Sequence, residues 1–223
     1  MIRLEEVSKV YWTKQGPVRA LSSISLEIKQ GEYVVVSGPS GAGKSTLLAL
    51  ISGLAKPSAG RIVVGDQDLG ALPPAAKAKW RAEKIGFIFQ LFHLLPYLTV
   101  IENVLAAVPP SQRVPAQERA EKMLEQFHLA HRAHHWASQL SAGECQRVAI
   151  IRALVKKPEI ILADEPTGNL DGANAAVVFE ALEDFNRKGG TVIVATHLES
   201  AIKGSGRVIA LKNGLLQSLA TAQ

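Results

Sequence analysis

The 223-residue sequence has a single cysteine, Cys145, and lacks any apolar run long enough to span a bilayer, which takes roughly 18 residues. One cysteine excludes an internal disulfide and fits a reducing compartment. The first six residues (MIRLEE) carry acids where a secretion signal would be apolar. We therefore expect a cytoplasmic chain, with any work inside a membrane left to another polypeptide.

Internal repeats, low-complexity tracts and runs of like charge are also absent. The net charge of +5 and the pI of about 9.4 suit an acidic partner, such as a nucleotide, an anionic lipid surface or a nucleic acid. The lysines and arginines are scattered, however, which equally fits a mildly basic soluble surface. With 47% hydrophobic residues, the chain can bury one core, or one core with a subdomain.

Four apolar runs predict buried strands, and each run ends at polar residues. They cover residues 33–36, 85–89, 160–163 and 191–195. Near-continuous apolar runs are typical of parallel strands that are covered on both faces. Ligands bind beyond the carboxyl ends of such strands, where the polar residues that follow the four runs would meet.

The other segments predict additions to this parallel sheet. Residues 2–11 and 18–29 are predicted as an antiparallel β layer, and residues 99–138 as mostly helical, with a loop marked by Pro109, Pro110, Ser111 and Pro115. We predict one α/β domain over residues 1–223. Its core would comprise residues 1–90 and 141–223, and residues 91–140 would form an inserted α-helical subdomain.

A glycine-rich loop follows the first buried strand. Residues 38–45 (GPSGAGKS) fit the pattern G-x-x-x-x-G-K-[ST], and a helix is predicted directly after them. Backbone N–H groups of such a loop surround phosphate oxygens, and the helix dipole favours the negative charge. The predicted nucleotide ligands are Gly38, Pro39, Ser40, Gly41, Ala42, Gly43, Lys44, Ser45 and Thr46. Lys44 would reach the β- and γ-phosphates, and Ser45 would bind magnesium.

Two acids follow the third predicted strand. Asp164 suits the shell of a magnesium ion, and Glu165 would position and deprotonate a water molecule. The structural alternative, a pair of solvated acids at a strand end, is disfavoured by the apolar run before them.

Ser141 and Glu144 have the S-x-x-E spacing of a helix capping box. Taken alone, that spacing has a purely structural explanation. A capped helix start that exposes Gly143 is also an anion site, and the two interpretations are compatible because the cap fixes the geometry of the free amides.

Residues 140–147 (LSAGECQR) resemble the signature motif of the ATP-binding-cassette (ABC) ATPases. The other motifs of that family occur in order along essentially the whole chain: Gln90 resembles the Q-loop, Asp164 and Glu165 the Walker B pair, residues 169–171 the D-loop, and His197 the switch histidine. Tyr11 stands where the family has an aromatic residue that stacks on adenine, although Trp12 could compete. The resemblance implies a P-loop NTPase core.

The family resemblance also implies a head-to-tail homodimer with two ATP molecules between the subunits. Ser141, Gly143, Glu144 and Asp171 would contribute to the ATP site across the interface. Within one subunit, the implied catalytic residues are Lys44, Glu165 and His197, and the implied Mg²⁺ ligands are Ser45, Gln90 and Asp164. Gln90 would also link the site to the helical subdomain.

Residues 92–96, 102–104 and 163–171 are similar to the lipoprotein-releasing (LolD) and macrolide-export (MacB) group of the family. The similarity implies an ATPase at the cytoplasmic face of the inner membrane that drives export or extraction of a lipoprotein, lipid or hydrophobic compound. A separate integral-membrane permease would dock near residues 91–103. An importer or cell-division ATPase is the alternative. A soluble nucleic-acid-acting ATPase fits less well because the chain has no coiled-coil heptads, and no nucleic-acid partner is expected.

The sequence departs from the family pattern at Ala142, where glycine is usual. A left-handed backbone there would cost about 1–2 kcal/mol, so we expect a right-handed residue with little effect on activity. Cys145 lies at a helix start, where thiol pKa values tend to fall, or it is a small apolar filler. His128, His131, His134 and His135 could suggest zinc, but they lie on two sides of a helix-like segment without a nearby cysteine.

Overall fold

A computed structural model describes residues 1–197 and 206–220. Its strands are β1 (Ile2–Thr13), β2 (Gly16–Ile28), β3 (Tyr33–Ser37), β4 (Ala59–Val64), β5 (Gln67–Asp68), β6 (Ile85–Ile88), β7 (Ile160–Asp164), β8 (Thr191–Thr196), β9 (Arg207–Lys212) and β10 (Leu215–Ala220). Its α-helices are α1 (Lys44–Ile51), α2 (Pro74–Lys84), α3 (Val100–Leu105), α4 (Arg113–Gln126), α5 (Ala142–Leu154) and α6 (Gly172–Arg187). Short 3₁₀ helices cover Pro110–Gln112, Ala130–Arg132 and Ala137–Gln139.

The larger sheet has the strand order β10-β9-β3-β8-β7-β6, and every pair from β9 to β6 is parallel. The four predicted apolar runs form β3, β6, β7 and β8, which are buried because α1 with β1 and β2 covers one face of the sheet and α5 with α6 covers the other. Ser37 pairs with Thr196 and Asp164 pairs with Ala195, so neighbouring strands end at the same level. The predicted α/β fold with a parallel sheet is confirmed.

The smaller sheet has the order β2-β1-β4-β5 and is antiparallel. Ile2 and Leu4 of β1 are buried while Arg3 between them is exposed, which is the period-two pattern of a sheet with one covered face. The predicted N-terminal β layer is therefore present. Strands β4 and β5, which complete it, were not predicted.

The helical segment has its own apolar cluster. Val100 and Val104 of α3, Ala120 and Leu124 of α4, and Val148 of α5 are fully buried in it. The prediction of a loop at Pro115 is wrong, since Pro115 lies in the first turn of α4. A backbone N–H there would have no partner within the helix, so proline fits. The predicted boundaries of an inserted subdomain, 91–140, stay a proposal.

Helix α5 joins the helical cluster to the main sheet. Val148, Ile151 and Val155 face the helical cluster, whereas Ile150 and Ala153 pack in the cluster of the parallel sheet. Within residues 1–197 and 206–220, no helix combines the length and apolar character that crossing a bilayer requires.

Asn103 of α3 ties the loop that precedes this helix to its first turn. The side chain is only 1% exposed. Its Oδ1 accepts a hydrogen bond from the backbone N–H of Leu95 at 2.8 Å. Its Nδ2 donates to the carbonyls of Leu95, Leu98 and Thr99 at 3.0–3.1 Å. The side-chain amide thus binds the loop through both its oxygen and its nitrogen.

We predict that Asn103→Ala lowers the free energy of unfolding by about 1–3 kcal/mol, because it removes four hydrogen bonds to the loop and leaves the backbone N–H of Leu95 without its acceptor. Urea unfolding of both proteins measures the difference. Gln126→Ala, at an exposed amide at the end of α4, is the control and should change stability by less than about 0.5 kcal/mol. Equal effects of the two substitutions would contradict the structural role of Asn103.

Candidate functional site

The glycine-rich loop joins β3 to α1 and has the backbone shape that its glycines permit. Gly43 is the N-cap of α1 with φ 106°. A Cβ at this position would lie 2.6 Å from the carbonyl oxygen of Ala20, so a side chain would not fit. The N-terminus of α1, whose first N–H groups have no partner within the helix, therefore follows directly after the loop.

Lys44 is the first residue of α1, and its side chain is curled into the loop. It is 7% exposed. Its Nζ donates hydrogen bonds to the carbonyls of Gly38 at 2.8 Å and Pro39 at 3.3 Å. The same Nζ lies 3.5 Å from Oε1 of Glu165. The ammonium group thus joins the loop to the acid that follows β7.

A cleft of about 520 Å³ opens over the loop. The predicted residues Gln90, Glu165 and His197 line it together with most of the loop. The loop residues in its wall are Pro39, Ser40, Gly41, Ala42, Gly43, Lys44, Ser45 and Thr46. Gly38 touches the site through its carbonyl, which accepts the bond from Lys44.

Ser45 lines this cleft, and Asp164, which is not among the described residues that line it, is the hydrogen-bond partner of Ser45. The Ser45 hydroxyl donates a hydrogen bond to Oδ1 of Asp164 at 3.1 Å. Burial raises the pKa of Asp164 above its usual value, although the bond from Ser45 acts in the opposite direction. A hydroxyl and a half-buried carboxylate are hard oxygen ligands of the kind that suits Mg²⁺.

Glu165 is held by side chains from three other positions in the fold. Its Oε1 lies 3.0 Å from Nδ1 of His197, and its Oε2 accepts a hydrogen bond from Thr196 Oγ1 at 3.1 Å. Burial acts to raise the pKa of Glu165, but the bonds with His197 and Thr196 and the charge on Lys44 outweigh it, so the pKa is lowered. The carboxylate is therefore ionised near neutral pH.

The predicted capping box opens helix α5. Ser141 Oγ accepts a hydrogen bond from the backbone N–H of Glu144 at 3.3 Å, and Oε2 of Glu144 accepts one from the N–H of Ser141 at 2.8 Å. Arg132 donates to Oε1 of Glu144 at 3.1 Å. The backbone bond from Ser141 is the main cause of the lowered pKa of Glu144. Ala142 is exposed and is the first residue of the right-handed helix, as predicted.

Asn174 binds this helix start to the turn before α6. It donates to both carboxylate oxygens of Asp171 at 3.0 Å, and its Oδ1 accepts a hydrogen bond from Nη1 of Arg147 at 2.7 Å. A Cβ on Gly143 would lie 2.7 Å from the amide oxygen of Asn174. A side chain at position 143 would therefore displace the Asn174 amide from its bonds with Arg147 and Asp171.

The start of α5 takes no part in the cleft of its own chain. Among the described residues that line the cleft, none belongs to 141–147. Ser141 and Ala142 are exposed, so this helix start can face another molecule.

Comparisons with known proteins decide the family. The model of the ABC transporter family matches residues 21–168, which is well over half of the chain. The chain belongs to the ABC transporter family. Lys44, Glu165 and His197 thus meet in the cleft of an ATP-binding and ATP-hydrolysing cassette.

The most similar curated relatives include two lipoprotein-releasing system ATP-binding proteins named LolD. The protein of Idiomarina loihiensis is 42% identical over 222 residues, which is 97% of this chain and 96% of that protein. The protein of Shewanella oneidensis is 40% identical over 226 residues, covering 100% of this chain and 98% of the relative.

Solved ABC cassettes share the whole fold. A dimeric post-hydrolysis state of the cassette MJ0796 bound to ADP and Pi has a TM-score of 0.90 at 36% identity, covering 100% of this chain and 99% of the other. A nucleotide-free cassette from an ABC transporter has a TM-score of 0.83 at 26% identity, with 100% and 92% covered. The predictions of an ABC ATPase and of its fold are confirmed, while the roles of single residues stay predictions.

Tyr11 lies beside the cleft of this ABC cassette and does not line it. Tyr11 is 40% exposed and pairs across the hairpin with Val18, which does line the cleft. Cross-strand partners share a face of the sheet, so Trp12 lies on the opposite face. Trp12 is 82% exposed. The structure therefore favours Tyr11 over Trp12 as the aromatic side chain at the edge of the site.

Two sets of residues at the site were missed by reasoning from the sequence. Val18, Arg19 and Ala20 of β2 line the cleft, and the hairpin register that pairs Val18 with Tyr11 could have revealed them. Asn174 carries no local sequence signal, because its contacts with the signature helix arise only from the packing of α5 on α6.

The pKa of the Cys145 thiol is raised, whereas thiol pKa values tend to fall at a helix start. Burial is the main cause that raises the pKa of its thiol, and the charge of Glu144 adds to the rise. The thiol is therefore protonated at neutral pH, which fits a small residue packed in a helix turn.

We predict that Ala142→Gly changes the ATPase rate by less than about twofold, because Ala142 is exposed and already right-handed, with no left-handed strain to relieve. Gly143→Ala is the matched comparison, since its methyl group would collide with Asn174. It should lower the rate at least about tenfold, the equivalent of about 1.4 kcal/mol of lost transition-state stabilisation. A large gain with Ala142→Gly would show that the alanine strains the signature helix.

Proposed function

We propose that this chain is the ATPase subunit of a lipoprotein-releasing ABC system, which works with a separate permease at the cytoplasmic face of the inner membrane. The observation that carries the proposal is the similarity to LolD proteins over nearly the full length of both chains. Importer, cell-division and nucleic-acid-acting alternatives find no comparable support in these relatives.

ATP would be bound by the loop and the start of α1. The free N–H groups at the helix N-terminus and the ammonium group of Lys44 would contact the phosphates in place of the loop carbonyls. Tyr11 would stack on the adenine from the neighbouring hairpin.

Mg²⁺ fits the oxygen atoms that surround Ser45. Ser45 and Asp164 are already hydrogen-bonded to each other, and Gln90 lies in the wall of the same cleft. These three residues would hold the ion. Bound there, Mg²⁺ would neutralise charge on the phosphate oxygens and so help the leaving group to depart.

Glu165 would act as the general base in hydrolysis. Its ionised carboxylate is fixed by Thr196 and His197, so it can orient a water molecule and accept a proton from it. His197 would contact the γ-phosphate in the same subunit. Lys44, close to Glu165, would stabilise negative charge that develops on the phosphate.

A second copy of the chain would complete each ATP site. The exposed start of α5, with Ser141, Gly143 and Glu144, would cap the ATP that is held by Lys44 of the other subunit, and Asp171 would contact the same site. The dimeric state described for MJ0796 supports a homodimer. ATP can drive this closure only if it binds the closed pair better than the open subunits.

The conformational changes of the ATPase cycle would be transmitted to the permease through residues 91–103. Gln90 lies at the junction, because it lines the ATP cleft and its carbonyl accepts a hydrogen bond from Nδ2 of Asn169 at 3.4 Å. A movement of the cleft on ATP binding would thus reach the segment that follows Gln90.

Glu165→Gln should trap a stable ATP-bound dimer, because ATP still binds while the base that removes the water proton is lost. Analytical ultracentrifugation with ATP and Mg²⁺ would detect the dimer. Lys44→Ala in the same Glu165→Gln background is the control; it should lose nucleotide binding in equilibrium dialysis and stay monomeric. A Glu165→Gln protein that binds ATP yet remains monomeric would contradict the proposed dimer mechanism.

Purification of the chain from membranes of its own organism should recover its permease. The lipoprotein-releasing proposal predicts a permease with four membrane-spanning helices and a large external domain, identified by mass spectrometry. Recovery of a six-helix permease of the importer type would overturn the proposal.

A further inference from the structure

A cleft of about 830 Å³ lies between α4 and α6, over the C-terminal end of α5. We call it the α4–α6 cleft. It shares no described lining residue with the ATP cleft. Small-molecule sites in proteins have volumes of about 300–1,000 Å³, so this cleft is large enough for a small organic ligand.

One face of each helix forms a wall of the α4–α6 cleft. On α4, Arg119 and Met123 are four residues apart, and both line the cleft. On α6, the lining residues Ala181, Phe185 and Lys188 are separated by four and three positions. Residues at these spacings are neighbours on one face of a helix, so each wall combines apolar side chains with a cation.

The apolar part of the cleft lies at the junction of two hydrophobic clusters. Its partly buried apolar side chains include Met123, Phe127, Leu154 and Phe185. Phe127 packs against both the helical cluster and the cluster of the parallel sheet. A ligand in the cleft would therefore contact both parts of the cassette.

The two acids that line the cleft are both neutralised by basic side chains. Glu118 forms an ion pair with Nζ of Lys122 at 2.6 Å. Asp184 forms one with Arg187, which lies on the same helix. Neither carboxylate is therefore available to balance the other cations of the cleft.

Three cations of the cleft form no ion pair with any residue of 1–197 and 206–220: Arg119, Lys157 and Lys188. Arg119 donates from Nε to the carbonyl of Val155 at the end of α5. This bond places its guanidinium close to Lys157, which follows α5, and leaves the N–H groups of its two terminal nitrogens for another acceptor.

Lys157 has a left-handed backbone, with φ 55°. Its N–H donates to the carbonyl of Leu154 at 2.9 Å, which closes the end of α5. Glycine is the usual residue in this conformation after a helix, because a Cβ adds a steric cost. A lysine could also favour the helix dipole, but Lys156 already supplies a cation at this end. A charge that is needed in the cleft accounts for a lysine at a position that favours glycine.

We infer that the α4–α6 cleft binds a long-chain fatty acid. Its carboxylate lies between Arg119 and Lys157, where both cations donate charge-assisted hydrogen bonds to it. Its acyl chain covers Met123, Phe127 and Phe185, and this burial removes apolar surface of both ligand and protein from water.

The walls of the cleft favour an acyl chain over an extended peptide. Along α4 and α6, backbone N–H and C=O groups are bonded to each other within each helix. An extended peptide would find few partners there for its own backbone groups, whereas an acyl chain has none to satisfy. One carboxylate also matches the pair formed by Arg119 and Lys157.

Equilibrium dialysis of the full chain with radiolabelled myristate, below its critical micelle concentration, tests the inference. Lys157→Gln should weaken myristate binding at least about fivefold, and Ala181→Phe, which fills the apolar part, at least about tenfold. The matched control is Lys79→Gln, at an exposed lysine of α2 outside the cleft, which should change binding less than about twofold. An ATPase rate within about twofold of the unmodified chain verifies the fold of each variant.

Lys157→Gly separates ligand binding from a structural role of the lysine. It should weaken myristate binding as much as Lys157→Gln does. Its midpoint of urea unfolding should be equal to or higher than that of the unmodified chain, because glycine adopts the left-handed conformation without a steric cost. A lower midpoint with unchanged myristate binding would assign Lys157 to stabilisation of the helix end and contradict the inference.

Other ligands test the chemistry of the site. Tetradecanol, which has the same chain without the charge, should bind at least about tenfold more weakly than myristate. Equal binding of the two, or myristate binding that Lys157→Gln and Ala181→Phe both leave unchanged, would overturn the inference. Displacement of myristate by a lower concentration of dioctanoyl phosphatidylglycerol or of an acidic amphipathic peptide would assign the cleft to that ligand and overturn it as well.

Discussion

The chemistry of this cassette depends on the parallel register of β3, β8 and β7. Because Ser37 pairs with Thr196 and Asp164 with Ala195, the chain leaves all three strands at one edge of the sheet. The N–H of Glu165 donates to the carbonyl of Ala195 at 2.8 Å, which extends the pairing one residue beyond β7. A slip by one residue would turn every side chain to the opposite face and separate the acids from the phosphate loop.

Segments that are buried on both faces could be predicted from the sequence, whereas the largely exposed α2 and β4 could not. The apolar runs of β3, β7 and β8 are continuous because both faces of the sheet are covered. Helix α2 has no buried residue, so it lacks the apolar stripe by which a helix is recognised. Strand β4 begins with three exposed residues and shows too little alternation to indicate a strand.

Some features of the site are set by short sequence patterns, and others arise only from the tertiary fold. The loop at 38–45 and the capping box of Ser141 and Glu144 are set by short patterns, and their geometry matches those patterns. Contacts between distant segments, such as Asn174 with Arg147 or Lys44 with Glu165, depend on how helices and strands pack. No spacing along the chain encodes them, so only the folded structure reveals the partners of each charged group.

The hydrogen bonds of Lys44 within its own loop contribute to the free energy of phosphate binding. Its ammonium group donates hydrogen bonds to two carbonyls, at 2.8 Å and 3.3 Å. A phosphate bound by Lys44 would exchange one set of acceptors of this ammonium group for another. The exchange would move the side chain of Lys44, which is the first residue of α1.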